Sequence, residues 1–155
     1  MILRHDAIIE RMKKGDIIIQ PFNKEQLNPN SYDVRLGDNI IVEGNKMQIP
    51  DRGYRLFKGE FILAETLERT ETYNLVPMVE GKSSIGRQGL FIHVTAGFGD
   101  VGFKGKWTLE LFACQDILIK PGMRIAQLFW YTCEGTGPEY NGKYQNATGV
   151  EGAKL

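Results

Sequence analysis

Histidine and cysteine are scarce, with two of each in 155 residues, and that scarcity excludes most metalloenzyme architectures. A zinc site takes three or four Cys, His or carboxylate ligands at recognisable spacing, whereas His5, His93, Cys114 and Cys133 form neither a CxxC pair nor such a cluster. The zinc signature His-x-Glu with Pro-Cys-x-x-Cys is also missing. Both cysteines border apolar, strand-like runs, so buried free thiols are expected. Charge of one sign is lacking too. The 19 Lys plus Arg balance 19 Asp plus Glu, leaving none of the positive excess with which a protein tracks a phosphodiester backbone. A nucleic acid polymer is therefore not the expected partner, while local charge at Lys82 and Arg87 suffices for one polyphosphate. No long apolar run occurs, and Met1–Asp6 carries no hydrophobic segment with a small-residue cleavage site. No membrane insertion is expected, and the chain reads as cytoplasmic.

What is present fits one domain with a real core. Ile8, Ile9 and Met12 recur at helical spacing within residues 4–14 before Gly15, which predicts one short N-terminal helix. The rest reads as short strands punctuated by Gly, Asn, Pro and Asp: residues 16–21, 31–36, 40–42, 61–64, 73–78, 90–95, 106–113, 117–120 and 124–132, with a helical turn at 84–88. That spacing predicts an all-β sandwich, jelly roll or closed barrel. Residues 1–133 form this domain. Residues 134–155, rich in Gly, Asn and Lys, read by composition as a disordered tail. Tyr140, Lys143, Tyr144 and Gln145 also give that segment the means of a flap closing over a ligand.

The segment Gly81-Lys82-Ser83-Ser84-Ile85-Gly86-Arg87 combines glycines, hydroxyls and two cations, the equipment of an anion-binding turn; alone, it reads first as a tight turn with a serine cap. Glu110 stands between Leu109 and Leu111. Alternation points it away from both leucines, to the face of Thr108 and Phe112, where a desolvated carboxylate suits proton transfer. For three other residues the plain structural readings are a satisfied strand histidine at His93, a turn cap at Asp100 and an edge-strand charge at Asp33.

Jointly, the segments 81–87, His93-Val94-Thr95-Ala96, Asp100 to Gly105, Thr108-Leu109-Glu110-Leu111 and Pro121 to Leu128, with Asn28 to Gly37 upstream, resemble the dCTP deaminase branch of the dUTPase-like superfamily. The resemblance implies a distorted jelly-roll β-barrel that assembles as a homotrimer with sites between subunits. It implies that Glu110 activates water, with Ser83 and Arg87 as accompanying catalytic residues. Lys82 and Ser84 fall on positions that hold the triphosphate, and Ala96 on backbone contacts near the base. Gln127, within Arg124-Ile125-Ala126-Gln127-Leu128, is similar to a phosphate-side Gln of dUTPases. Asp100 matches an aspartate that sits at the sugar and orients water, and Asp33 an acidic position near phosphate-bound Mg²⁺, which it would reach through water. No zinc is implied. The glycine-rich closing motif of dUTPases is missing, and Lys143-Tyr144-Gln145 resembles the deaminase tail instead, with Tyr140 beside it. These roles fit the chemistry, because replacing the C4 amino group of cytosine needs one carboxyl that acts as base and then acid, with Ser83 and Arg87 donating to the reacting centre.

The activity so implied is conversion of dCTP to dUTP, then of dUTP to dUMP and pyrophosphate. Deamination alone, a dUTPase that retains Glu110 unused, and a non-catalytic nucleotide-binding β trimer are the alternatives.

Overall fold

The computed structural model describes residues 1–155, and its strands form one long sheet that bends back on itself. Helix α1 (His5–Lys14) opens the chain, and its C-cap Gly15 has φ 80, the left-handed conformation that glycine adopts without strain. Strands β1 (Ile17–Gln20), β2 (Tyr32–Val42), β3 (Asn45–Gln48), β4 (Tyr54–Leu56), β5 (Phe61–Thr72) and β6 (Leu75–Gly81) follow. Next come the short helix α2 (Ser83–Gly86) and strands β7 (Leu90–Phe91), β8 (Lys104–Ala113), β9 (Ile117–Ile119) and β10 (Arg124–Thr132). The main sheet runs β6-β10-β2-β5-β8-β7, with β1 on β5 and β3 on β2, while β4 and β9 pair separately. This is the all-β, distorted jelly-roll barrel expected, nearly closed, with its one substantial helix at the N-terminus.

The barrel is closed by a loop. At β6, Val79 N donates to Gly97 O, and at β8, Glu110 N donates to Ile92 O. Residues 92–98 thus form a seam between two strands that do not pair directly. Inside lie Tyr32, Leu36, Leu109, Leu111, Leu128 and Trp130, each essentially without solvent exposure. Two buried indoles are satisfied by β5. Trp107 Nε1 donates to Thr70 Oγ1 at 2.9 Å and Trp130 Nε1 to Thr72 Oγ1 at 3.1 Å, so these threonines remove a desolvation cost from the core.

Several expectations need correction. The strands expected at 31–36 and 40–42 are one strand, β2, carried past Gly37 by a bulge between Leu36 and Ile40. The strand expected at 90–95 ends at Phe91, and His93 lies in the seam loop. Cys114 and Cys133 are exposed, because each falls just beyond its strand's end. Strands β3 and β4 were not anticipated; β3 is exposed along its whole length and carries no alternation. The last segment is not loose. Asn146 N donates to Lys104 O and Lys106 N to Ala147 O, and Ala147 and Val150 are buried.

Candidate active site

The geometry begins with β8. Trp107, Leu109, Leu111 and Ala113 turn inward and Lys106, Thr108, Glu110 and Phe112 outward. A one-residue slip would expose two leucines worth about 1.5–3 kcal/mol each, so the core fixes the aim of Glu110. Its side chain is half-buried, less desolvated than expected, and its protein hydrogen bonds fall on one oxygen: Oε2 accepts Val94 N at 2.8 Å and Thr95 N at 3.3 Å. Two seam amides hold the carboxylate, and Oε1 is left for another group.

Glu110 looks into a cavity of about 470 Å³. Its floor includes Phe61, Leu63, Lys106 and Thr108, one wall carries Ala96, Phe98 and Asp100, and the other is the C-terminal segment with Tyr140, Tyr144, Ala147 and Glu151 to Ala153. Apolar walls around a few polar groups suit a planar organic ring. Asp100 is exposed and opens a turn in which Phe103 N donates to Asp100 O at 3.2 Å, with Gly102 at φ 87. That is the turn expected of this aspartate, and its carboxylate nonetheless lines the cavity.

A second cluster lies on β2, β6 and β10. Asp33 is 2 % exposed. It is no edge charge, because β2 is interior to the sheet. Its carboxylate takes Asn28 Nδ2 at 2.8 Å and Lys82 Nζ at 2.5 Å, with Arg124 3.8 Å away. Gln127 accepts from Ser31 Oγ at 3.1 Å and donates to Gly81 O at 3.2 Å. Lys82 is the N-cap residue of α2, beyond which Ser83, Ser84 and Arg87 are exposed. A cluster of cations, hydroxyls and an amide around one neutralised carboxylate suits an oligophosphate.

The predicted residues thus fall into two groups. Glu110, Asp100, Ala96 and Tyr140 share the cavity; Lys82, Ser83, Ser84, Arg87 and Gln127 do not line it. Lys143 and Gln145 lie in the tail, but neither reaches the cavity. Lys143 Nζ donates to Lys154 O at 2.6 Å. Gln145 is engaged internally, accepting from Lys104 N and donating to Gly102 O and Tyr140 O. His93 is partly buried as expected, with Nε2 3.2 Å from Glu80 Oε2, but its Nδ1 is buried without a partner. The sequence reading missed the Val94 and Thr95 amides, for which no side-chain signal exists, and Arg124, whose charge was legible but whose nearness to Asp33 was not. No group of three His, Cys, Asp or Glu residues is placed to hold a metal, and Asp33 is already engaged by cations, so the residues present do not form a metal site of their own.

Comparison with known proteins shows what the chain is similar to. A family model described as dCTP deaminase-like matches residues 2–133. A Hathewaya histolytica protein named dCTP deaminase, dUMP-forming, is 48% identical over 168 residues, covering 100% of this chain and 97% of that one. A Cytophaga hutchinsonii protein of the same name is 46% identical over 154 residues, covering 91% and 89%. Among solved structures, the 2'-deoxycytidine 5'-triphosphate deaminase of Agrobacterium tumefaciens shares the fold with a TM-score of 0.69 at 20% identity, over 83% of this chain and 47% of that one, about half its length. A mutant dUTPase of phage phi11 of S. aureus, whose structure shows the coordination of a structural Mg(II) ion, gives a TM-score of 0.55 at 12% identity, over 83% and 97%.

Proposed function

The chain belongs to the dCTP deaminase-like family, and on that premise we propose that it deaminates dCTP to dUTP, releasing ammonia, and then hydrolyses dUTP to dUMP and pyrophosphate. The observation that carries the first step is the held Glu110 carboxylate at the apolar cavity. Oε2 is fixed by two backbone amides, so Oε1 can take a proton from water as it adds to C4 of cytosine. The same carboxyl then returns that proton to the departing amine, and one residue serves as base and acid. Ser83 and Arg87 donate to the reacting centre, and Ala96 presents its backbone to the base. Lys82, Ser84 and Gln127 hold the phosphates. Tyr140, Lys143 and Gln145 belong to the closing segment 134–155, Tyr140 at the cavity itself and the other two by setting the segment's path.

Glu110 and the α2 residues stand apart in one subunit. We place the complete site between neighbours of a homotrimer, the α2 cluster of one facing the Glu110 cavity of the next. The exposure of Phe98 (66%), which lines that cavity, supports an interface there. The substrate is the magnesium form of the nucleotide. Mg²⁺ bound with the nucleotide would neutralise phosphate charge; Asp33, buried and already paired with Lys82, is not placed to hold it. Asp100, with Gln127, orients the second water at the α-phosphate. We propose that the reaction takes place in the cytoplasm. No helix is long and apolar enough to cross a membrane. The test is ammonia release from dCTP by the wild-type protein and by Glu110→Gln. Turnover should fall at least ~10²-fold with dCTP binding retained, and near-wild-type release by the variant would remove the mechanism.

A further inference from the structure

Glu65 is a carboxylate that the chemistry above does not use. It points from β5 to the same outer face as Glu110, paired across the strands with Thr108, yet it is 1% exposed. Burying a charge there is costly unless it is paired and hydrogen-bonded. Its partners come from three separate parts of the chain. Oε1 accepts Asn39 Nδ2 of β2 at 3.0 Å and lies 3.4 Å from Lys106 Nζ of β8, and Oε2 accepts Val150 N of the C-terminal segment at 2.8 Å. Two glycines make room for it. A Cβ at Gly37 would lie 2.5 Å from Glu65 Cγ, and one at Gly149 would lie 2.8 Å from Glu65 Oε2.

We infer that Glu65 is a positioning residue whose carboxylate latches the C-terminal segment in place as a wall of the Glu110 cavity. Val150 directly precedes Glu151, Gly152 and Ala153, which line that cavity, and the next bond along the segment, Glu151 N to Thr108 Oγ1 at 3.0 Å, lies on the same face of β8 as Glu110. All three partners are donors, so the position requires a group that only accepts. A glutamine of the same shape must turn its NH₂ toward at least one donor and leave that contact repulsive. The latch thereby couples β2, β5 and β8 to the part of the chain that shapes the nucleobase end of the site. Its role in catalysis rests on the proposed activity; its structural action does not.

The test is amide hydrogen exchange on the full-length protein without substrate, followed by dCTP kinetics. In Glu65→Gln, exchange at Val150 and Glu151 should rise at least ~10-fold, the equivalent of one charge-assisted hydrogen bond, while Leu109 and Leu111 remain protected. KM for dCTP should rise ~10-fold with kcat much less affected, since a displaced wall weakens binding more than proton transfer. If the core also exchanges faster, Val150→Pro asks the same question from the other side, because proline removes the donor and leaves the carboxylate in place. Release of residues 151–155 is then expected. Because a glutamine can still turn its carbonyl to Val150 N, retained protection of that segment in Val150→Pro is the result that overturns the latch, and released protection without any KM effect overturns its link to the site. Inactivity of the wild type toward dCTP would instead count against the proposed activity alone, since exchange is read without nucleotide.

Discussion

The most consequential side chain is one whose orientation is set by its neighbours. Leu109 and Leu111 are fully buried, so Glu110 must face outward, and the seam amides then hold one of its oxygens. The two reactions make different demands on it. Deamination needs a carboxyl that accepts and returns a proton, whereas attack at the α-phosphate needs an oriented water and charge neutralisation. Glu110→Gln is therefore expected to retain hydrolysis of dUTP supplied directly, with Gln127→Ala weakening it, as followed by dUMP formation. Loss of dUTP hydrolysis in Glu110→Gln would mean that both steps share this base. The aim of Glu110 was legible from alternation alone. The fixing of Oε2 was not, since it depends on backbone donors of Val94 and Thr95 that no residue type announces.

At the level of elements, punctuation in the sequence misled where tertiary contacts outweighed it. Gly37-Asp38-Asn39 reads as a turn, yet β2 continues through it, because Asn39 pairs with Gln48 of β3 and the absence of a Cβ at Gly37 admits Glu65. Conversely, Ile92 to Thr95 looks like strand but becomes seam, with the Val94 and Thr95 amides spent on the Glu110 carboxylate. The regular alternation of β8 was readable because it buries one face, whereas β10 buries Ile125 and Ala126 in succession and carries four apolar or aromatic residues in a row from Leu128. On β5 the alternating polar residues Thr70 and Thr72 face the core, where they serve the two tryptophans. Thr70→Val should leave the Trp107 indole N–H unpaired and destabilise the fold by about 1–3 kcal/mol, read from the urea midpoint. An unchanged midpoint would show that this bond is replaceable.

For the whole molecule, the claim with widest reach is that one subunit holds two incomplete halves of a site. Light scattering should report a trimer. Mixing inactive Glu110→Gln with inactive Lys82→Ala should restore activity, because some interfaces then combine an intact cavity with an intact phosphate cluster; no restoration would place both halves in one subunit. Acid stability is a further property of the molecule. Hydrogen bonds from Tyr73, then Arg69, hold the Glu71 carboxyl below its ordinary 4.5, and Arg11 holds Asp16 below 3.8. A carboxylate with a lowered folded pKa contributes stability above its unfolded value and loses it as pH falls through the folded one. Glu71→Gln should therefore flatten the decline in stability below about pH 4.5, and an unaltered slope would assign that decline to other groups.

The most direct measurement supplies the purified wild-type protein with dCTP and Mg²⁺ and separates dCTP, dUTP and dUMP by chromatography over time. The expected result is loss of dCTP matched by dUMP and pyrophosphate, with one ammonia released per dCTP. Unchanged dCTP would contradict the deaminase assignment, and dUTP accumulating without dUMP would contradict the second step.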